Sequence, residues 1–284
     1  MKTRITFLAL LVLAAIPAQA QLYADLSGGY GLAANRQLLM TTENVRPPQQ
    51  TEAGVYGTFG SGMLPELAFG YVFNEHLAAE AAYGYLAGKV MNNEVDNDFG
   101  AGYVQHGSTT AYSRSQRVTF SVRYGFGEGR LRPYMRTGFV LGFANHVTYE
   151  YWEQNNSPTE SINTEMITKY DGGLAYGFAG GLGAGYDING FLGFFAEASF
   201  TGMAWAPHHS VVTKHTQDGQ DLLAGLPVRD REKEYHKEIT LTDTPDPNKP
   251  DQMHLRFYYP MSAVYFKLGI HFNFGYSPAK CFGK

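Results

Sequence analysis

Eight stretches of the chain alternate between apolar residues and polar or small residues with a period of two. A period of two places successive side chains on opposite faces of a β-strand. Each stretch is about ten or more residues long, which is the length that a tilted strand needs to cross a bilayer. The predicted strands cover residues 22–33, 62–73, 77–88, 113–126, 131–143, 172–187, 191–203 and 259–274.

The connections between these stretches alternate between short and long. Residues 74–76, 127–130 and 188–190 form short connections rich in Gly and Asn, which is typical of hairpin turns. Residues 34–61, 89–112, 144–171 and 204–258 form the long ones. Short turns at one end and long loops at the other are typical of outer-membrane barrels. The pattern therefore predicts an all-β, closed antiparallel transmembrane barrel of eight strands, with short periplasmic turns and long extracellular loops. A soluble exported β-domain is the alternative.

The first twenty residues have the pattern of a secretory signal peptide. Lys2 and Arg4 precede an apolar run over 7–16, and Ala18 and Ala20 give an A-x-A cleavage site. The run is too short for a spanning helix, and no later stretch has about 18 apolar residues. We predict a signal peptide over 1–20 cleaved near Ala20 after Sec export, a barrel over 21–274 and a short tail over 275–284.

Composition and charge narrow the function. The chain has 33 Gly, 20 Tyr and 19 Phe, which favours glycine-rich strands with interfacial aromatic belts. Its net charge is −4, and it becomes about −6 without Lys2 and Arg4, so we expect no nucleic-acid partner. Cys281 is the only cysteine, which excludes an intramolecular disulfide. Aromatic residues near the predicted strand ends are Tyr30, Tyr71, Phe73, Tyr83, Tyr85, Tyr124, Phe126, Tyr186 and Phe191.

The polar face of the predicted strands contains charged residues of both signs. An eight-stranded barrel is just wide enough inside for its own side chains, and buried charges there need partners. We therefore predict an ion-pair network that fills the interior. A narrow ion or solute path lined by the same charges is the alternative. The predicted network consists of Asp25, Glu66, Glu80, Glu197, Arg117, Arg123, Arg132, Arg136 and Lys267.

The final strand carries a resemblance to known proteins. With its sequence AVYFKLGIHFNFG, the signal peptide and the eight segments, the chain resembles the small outer-membrane barrels of the OmpA and OmpX kind. The resemblance implies that this strand is the signal read by the barrel-assembly machinery, through Phe266, Leu268, Ile270, Phe272 and Phe274. It also implies outer-membrane lipid and lipopolysaccharide as surroundings.

The long loops offer two further possibilities. A base, a nucleophile and an orienting carboxylate, as in a lipid A-modifying enzyme, could come from His208, His209 and Ser210 with Asp218 or Asp221. We nevertheless expect no catalytic activity, no metal and no cofactor. Alternating pieces at 147–152, 165–168 and 238–241 are expected to extend the hairpins above the membrane. They would expose strand edges and Trp152 to an extracellular protein or surface ligand. The predicted function is structural, in envelope integrity, with loops for interaction or adhesion. A porin-like diffusion channel is the alternative. A further strand pair within the fourth long loop, 204–258, would raise the number of strands to ten.

Overall fold

The computed structural model describes residues 21–126, 129–240 and 246–274, so the predicted signal peptide and tail lie outside the described residues. Nearly all secondary structure is β. The exceptions are a 3-10 turn, Leu223–Gly225, and a single helical turn α1, Val228–Arg231. The strands are β1 Gln21–Ala33, β2 Gln37–Arg46, β3 Gln49–Gly57, β4 Gly62–Val72, β5 Leu77–Gly88, β6 Met91–Gly100, β7 Tyr103–Gly125, β8 Leu131–Asn156, β9 Ser161–Asp171, β10 Ala175–Asp187, β11 Leu192–Trp205, β12 His209–Gln217, β13 Gln220–Asp221, β14 Glu232–His236, β15 Asp251–Leu255, β16 Tyr259–Pro260 and β17 Ala263–Asn273.

Eight of these strands pair in a ring. Strand β1 pairs with β4 on one side and with β17 on the other, and the ladder runs through β5, β7, β8, β10 and β11 back to β17. Every pairing in the ring is antiparallel. The eight predicted segments are thus confirmed as strands, with ends that differ by a few residues except in β7 and β8.

The whole sheet has fifteen strands, which is more than the predicted eight. Strands β7 and β8 continue far past the ring, and β8 then pairs in turn with β9, followed by β12, β14 and β15. We call β9, β12, β14 and β15 the loop sheet. The additional strands do not enter the ring, because β11 pairs directly with β17. The strands that form within 204–258 therefore lie outside the ring.

Two of the three predicted loop strands are confirmed. Residues 147–152 belong to β8 and residues 165–168 to β9, although Trp152 is half-buried rather than exposed. The prediction for 238–241 is wrong over its described part, since 238–240 are not in a strand. Strand β14 ends at His236, opposite Leu255 at the end of its parallel partner β15.

The turns at the other end of the ring are fixed by asparagine side chains. The Asn74 carboxamide oxygen accepts hydrogen bonds from the backbone N–H groups of His76 and Leu77, at 3.0 and 2.9 Å. Asn189 does the same for Phe191 and Leu192, at 2.9 and 2.8 Å. Such local bonds stabilise tight turns. Of the predicted turn at 127–130, only 129 and 130 are described.

The two faces of the ring differ in character. Along β11, burial alternates residue by residue, with Phe195, Glu197 and Ser199 inside and Phe194 and Phe200 outside. The outer face of the ring exposes large apolar side chains such as Leu22, Leu26, Phe69, Phe120, Phe139, Phe178, Leu182, Phe266 and Leu268. Among the described residues, no helix has the length and apolar character to cross a bilayer.

An apolar cluster closes the interior at the long-loop end. We call Phe59, Trp205, Tyr259, Met261 and Tyr265 the loop-end cap; all five are buried. The backbone N–H of Phe59 donates to the carbonyl of Pro260 at 2.9 Å, so the segments carrying Phe59 and Met261 fold inward together. The alternation along the strands predicts a charged interior and gives no sign of this apolar part.

Candidate functional site

Arg136 lies at the centre of the ring's interior. Its guanidinium contacts three carboxylates: Nη1 lies 2.6 Å from Oε1 of Glu80, and Nη2 lies 2.7 Å from Glu197 and 3.3 Å from Glu66. The Lys267 ammonium lies 2.9 Å from the same Glu66 oxygen and 3.9 Å from Glu197. Strands β4, β5, β8, β11 and β17 are thereby joined through side chains across the interior. Every one of these charged groups is buried.

Arg123 joins this group to a second set of residues nearer the turns. Its Nη2 lies 2.7 Å from Oδ2 of Asp25 and 3.1 Å from Oε2 of Glu80. The other Asp25 oxygen lies 2.5 Å from Nδ1 of His271. Glu80 therefore binds both Arg123 and Arg136, which makes the two sets one connected network.

Tyrosines complete the network. The hydroxyl of Tyr23 donates to Glu80 at 2.9 Å, and that of Tyr134 donates to Glu197 at 3.1 Å. The Arg123 guanidinium lies 5.2 Å from the ring centre of Tyr23 and 4.3 Å from that of Tyr134, within cation–π range. We call Tyr23, Asp25, Glu66, Glu80, Arg123, Tyr134, Arg136, Glu197, Lys267 and His271 the interior network. Three of them, Tyr23, Tyr134 and His271, were absent from the predicted set, although their inward parity was visible in the sequence.

Two predicted members of the network have other partners. Arg132 is an exposed side chain at the turn end of β8 and lies 2.9 Å from Asp187. Arg132 lies on the same face of β8 as Arg136. It is the second residue of the strand, however, and therefore lies at the rim of the ring. Arg117 is buried, and its Nη1 donates to the Tyr265 hydroxyl at 2.8 Å, which in turn donates to the Gly60 carbonyl at 2.5 Å. Arg117 thus binds the loop-end cap.

The glycines of β10 make room for this network. A Cβ atom at Gly183 would lie 2.4 Å from the ring of Tyr134, and one at Gly181 would lie 3.2 Å from Oε1 of Glu197. Larger residues at these positions would therefore displace network side chains. Long side chains from the neighbouring strands therefore cover the inner face of β10, which consists of small residues.

The histidine, serine and aspartate residues that could form a catalytic site each contact other groups instead of one another. Ser210 is buried, and its hydroxyl lies 2.9 Å from that of Tyr235. The His209 ring lies 3.6 Å from Asp171, on the neighbouring strand. Asp218 and Asp221 accept backbone N–H bonds from Asn163 and Leu223. No hydrogen bond joins a histidine to Ser210 in the described part of the chain.

Burial and neighbouring groups shift the pKa of Asp251 in the loop sheet. Burial alone would raise the pKa of Asp251, but the N–H of Met253 and the neighbouring His254 outweigh it and lower that pKa. Within the described residues, no group of three or more His, Cys, Asp or Glu side chains is arranged to hold a metal ion.

Solved structures similar to the chain include small outer-membrane β-barrel proteins. Outer membrane protein OprG from Pseudomonas aeruginosa is 11% identical with a TM-score of 0.41, over 89% of this chain and 96% of that one. Neisserial surface protein A is 8% identical with a TM-score of 0.36, over 90% and 98%. The attachment invasion locus protein Ail of Yersinia pestis is 8% identical with a TM-score of 0.33, over 90% and 97%. No family profile and no curated protein sequence matches the chain.

Proposed function

We propose that residues 21–274 form a closed eight-stranded barrel in the bacterial outer membrane, exported with 1–20 as its signal peptide. The ring of pairings supports this, because a sheet can cross hydrocarbon only when it has no free edge. In this proposal the barrel contributes to envelope integrity, and its long loops form an interaction surface outside the cell.

The outer face of the ring supports a membrane location. The outward residues are apolar from Val118 on β7 to Phe126 just after its end, and on β8 they are mostly apolar from Leu131 to Phe143. At about 3.4 Å per residue these bands measure roughly 27 and 41 Å along the strands. A tilt of about 40° reduces them to roughly 21 and 31 Å, which brackets the apolar band of about 25 Å in outer-membrane barrels.

Aromatic residues gather at the turn end of this band. Tyr71 packs against Phe73, and Tyr124 against Phe126, each with ring centres 5.0 Å apart. Phe191 packs against Phe272 and Phe274, at 5.9 and 6.2 Å. Such a girdle is expected at a membrane–water interface. It includes the end of β17, which we propose as the signal for the barrel-assembly machinery.

The interior supports a barrel that does not conduct. Ions entering from the turns would meet the interior network, whose charges are paired with each other, and ions entering from the loops would meet the apolar loop-end cap. In the cap, the ring centres of Phe59 and Tyr259 are 4.9 Å apart and those of Tyr259 and Trp205 are 5.7 Å apart.

A narrow channel is the second candidate. It is favoured by buried polar atoms between network and cap that have no hydrogen-bond partner in the described residues, namely Nε and Nη2 of Arg117 and the hydroxyls of Ser121 and Ser199. These atoms require water, and water in the interior is the first condition for a path.

Single-channel recording separates the two candidates. The mature protein is refolded in lipid, its closure is checked by heat-modifiable migration on a gel, and it is then placed in a planar bilayer. The plugged barrel is expected to be silent, while a porin treated in the same way gives openings. Steady discrete openings that change on Arg117→Ala would refute the plug and favour the channel.

The orientation of the loops has its own test. A short epitope inserted between Asp218 and Gly219, at an exposed turn of the loop sheet, is expected to be detected by antibody on intact cells. The same epitope inserted after Glu75, in an opposite turn, is expected to be detected only after the outer membrane is opened. The reverse pattern contradicts the proposed orientation.

A further inference from the structure

A cleft lies at the outer tip of the paired strands β7 and β8, where β7 begins and β8 ends, remote from the turn that joins them. It has a volume of about 280 Å³ and is lined by the adjoining ends of β6, β7, β8 and β9 and by the β8–β9 turn. The β6–β7 and β8–β9 turns are in close proximity, since a Cβ atom at Gly102 would lie 3.2 Å from Cγ of Pro158. The residues that carry its chemistry are Phe99, Tyr103, Gln105, Asn155, Asn156 and Glu160.

Two aromatic rings line the cleft and remain in contact with solvent. Phe99 and Tyr103 are each 53% exposed. They lie on either side of the turn that joins β6 to β7. The pairing of β6 with β7 shifts register between Asp98 and Gly100, so Phe99 has no partner opposite it. Irregularities of this kind redirect a side chain. The turn itself is tight, with Ala101 at a φ of 53°.

Polar side chains around the rings are held by their own bonds. Gln105 accepts a hydrogen bond from Asn97 at 2.9 Å and donates one to Glu153. The carboxamide oxygen of Asn156 accepts from the Ser161 hydroxyl at 2.6 Å. Amide groups of this kind both donate to and accept from hydroxyl groups, whereas a carboxylate accepts from them. Held in place beforehand, these side chains lose little entropy on binding.

The charge of the cleft excludes anionic ligands. Glu160 lines it and Glu153 lies behind Gln105, while no Lys or Arg is among its described lining residues. Asp96 nearby is already paired with Arg46. A sulfated or phosphorylated ligand would bring like charges together, which is unfavourable.

We propose that this cleft binds a neutral oligosaccharide. Exposed aromatic faces pack against the apolar C–H faces of sugar rings. The amides of Gln105 and Asn156, which are held by hydrogen bonds, and the carboxylate of Glu160 bind the hydroxyls around them. The biological setting rests on the proposed outward orientation of the loops. Binding itself depends only on the folded protein.

The test uses the purified full-length mature protein, refolded in detergent and shown by gel migration to be folded. Displayed in many copies on fluorescent beads, so that avidity compensates for a weak single site, it is applied to a printed array of neutral and sulfated oligosaccharides. Affinities for the neutral sugars retained are then measured by titration of the protein in solution. A single shallow site of this kind is expected to have a Kd of roughly 0.1–1 mM. The variants Phe99→Ala and Tyr103→Ala are each expected to weaken binding about tenfold, and Glu160→Gln less.

Tyr258→Ala is the matched control, because Tyr258 is an exposed tyrosine, at 63%, that does not line the cleft. Its affinity is expected to stay within about twofold of wild type. The proposal is overturned if no neutral sugar is retained, if only sulfated sugars are retained, or if Tyr258→Ala and Tyr103→Ala weaken binding equally. Because the array uses refolded protein, its failure is distinguishable from failure of the intact-cell epitope test.

Discussion

Replacing Arg136 by leucine removes the cation that three buried carboxylates share. Glu66, Glu80 and Glu197 lie 3.3, 2.6 and 2.7 Å from its guanidinium. After the replacement Glu66 keeps Lys267 and Glu80 keeps Arg123, while Glu197 keeps only the more distant Lys267 at 3.9 Å and the Tyr134 hydroxyl. The variant therefore leaves uncompensated negative charge in the interior.

The expected loss follows from the general cost of breaking a buried ion pair, which is about 3–5 kcal/mol when one partner is removed. Arg132→Leu is the matched control on the same strand and the same parity. Its side chain is 60% exposed and forms an ion pair with Asp187. An exposed pair contributes about 0–1 kcal/mol. The two variants should therefore differ in free energy of unfolding by about 2–5 kcal/mol.

Urea unfolding of the protein refolded in lipid vesicles, followed by gel migration, measures this difference. With a denaturant dependence of about 3 kcal/mol per molar urea, Arg136→Leu should lower the midpoint by roughly 1–2 M and Arg132→Leu by less than about 0.4 M. If Arg136→Leu does not fold, Glu66→Gln is the milder variant and should lie between the two. Equal midpoints for Arg136→Leu and Arg132→Leu would refute the network as the filling of the barrel.

Two further predictions concern space in the ring and charge in the loop sheet. Gly183→Ala should destabilise by about 1–3 kcal/mol, because its Cβ would lie 2.4 Å from Tyr134. Gly180→Ala, whose Cβ meets only a backbone oxygen at 3.8 Å, should change the same urea midpoint little. The lowered pKa of Asp251 means that its charge stabilises β15 at a pH above its unfolded value of about 3.9, and that this stabilisation is lost as the pH falls through the lower folded value. Hydrogen exchange corrected for intrinsic rates should show protection of residues 251–255 decreasing below about pH 4 in wild type and staying flat in Asp251→Asn.

The ring strands were predictable because their two faces meet different surroundings. In β17, for example, Phe266 and Leu268 are exposed on the outside and Lys267 is buried between them. The loop strands were not predictable in this way. Nearly every residue of β3, Gln49–Gly57, is exposed, so backbone pairing forms the strand without any apolar pattern.

Parity also predicted which charges point inward, but it did not identify their partners. Arg132 and Arg136 share a parity, and only the distance from the strand end separates an exposed rim residue from the centre of the network. His271 shares the inward parity of Lys267, but it was not counted among the charges. The cap was missed because Phe59 and Met261 reach the interior from loops, where no period marks a face.

The folding of the long loops into strands changes how the outer surface can act. A long unstructured loop must lose backbone entropy, about 1–2 kcal/mol per residue, before it can present a binding site. Here the tip residues Tyr103 and Asn156 lie at the ends of β7 and β8, which pair without interruption from Val104 to Arg114. That ordering has already occurred when the protein folds. A shallow cleft at such a tip can therefore retain a small ligand through few contacts, and many copies in one membrane would add avidity.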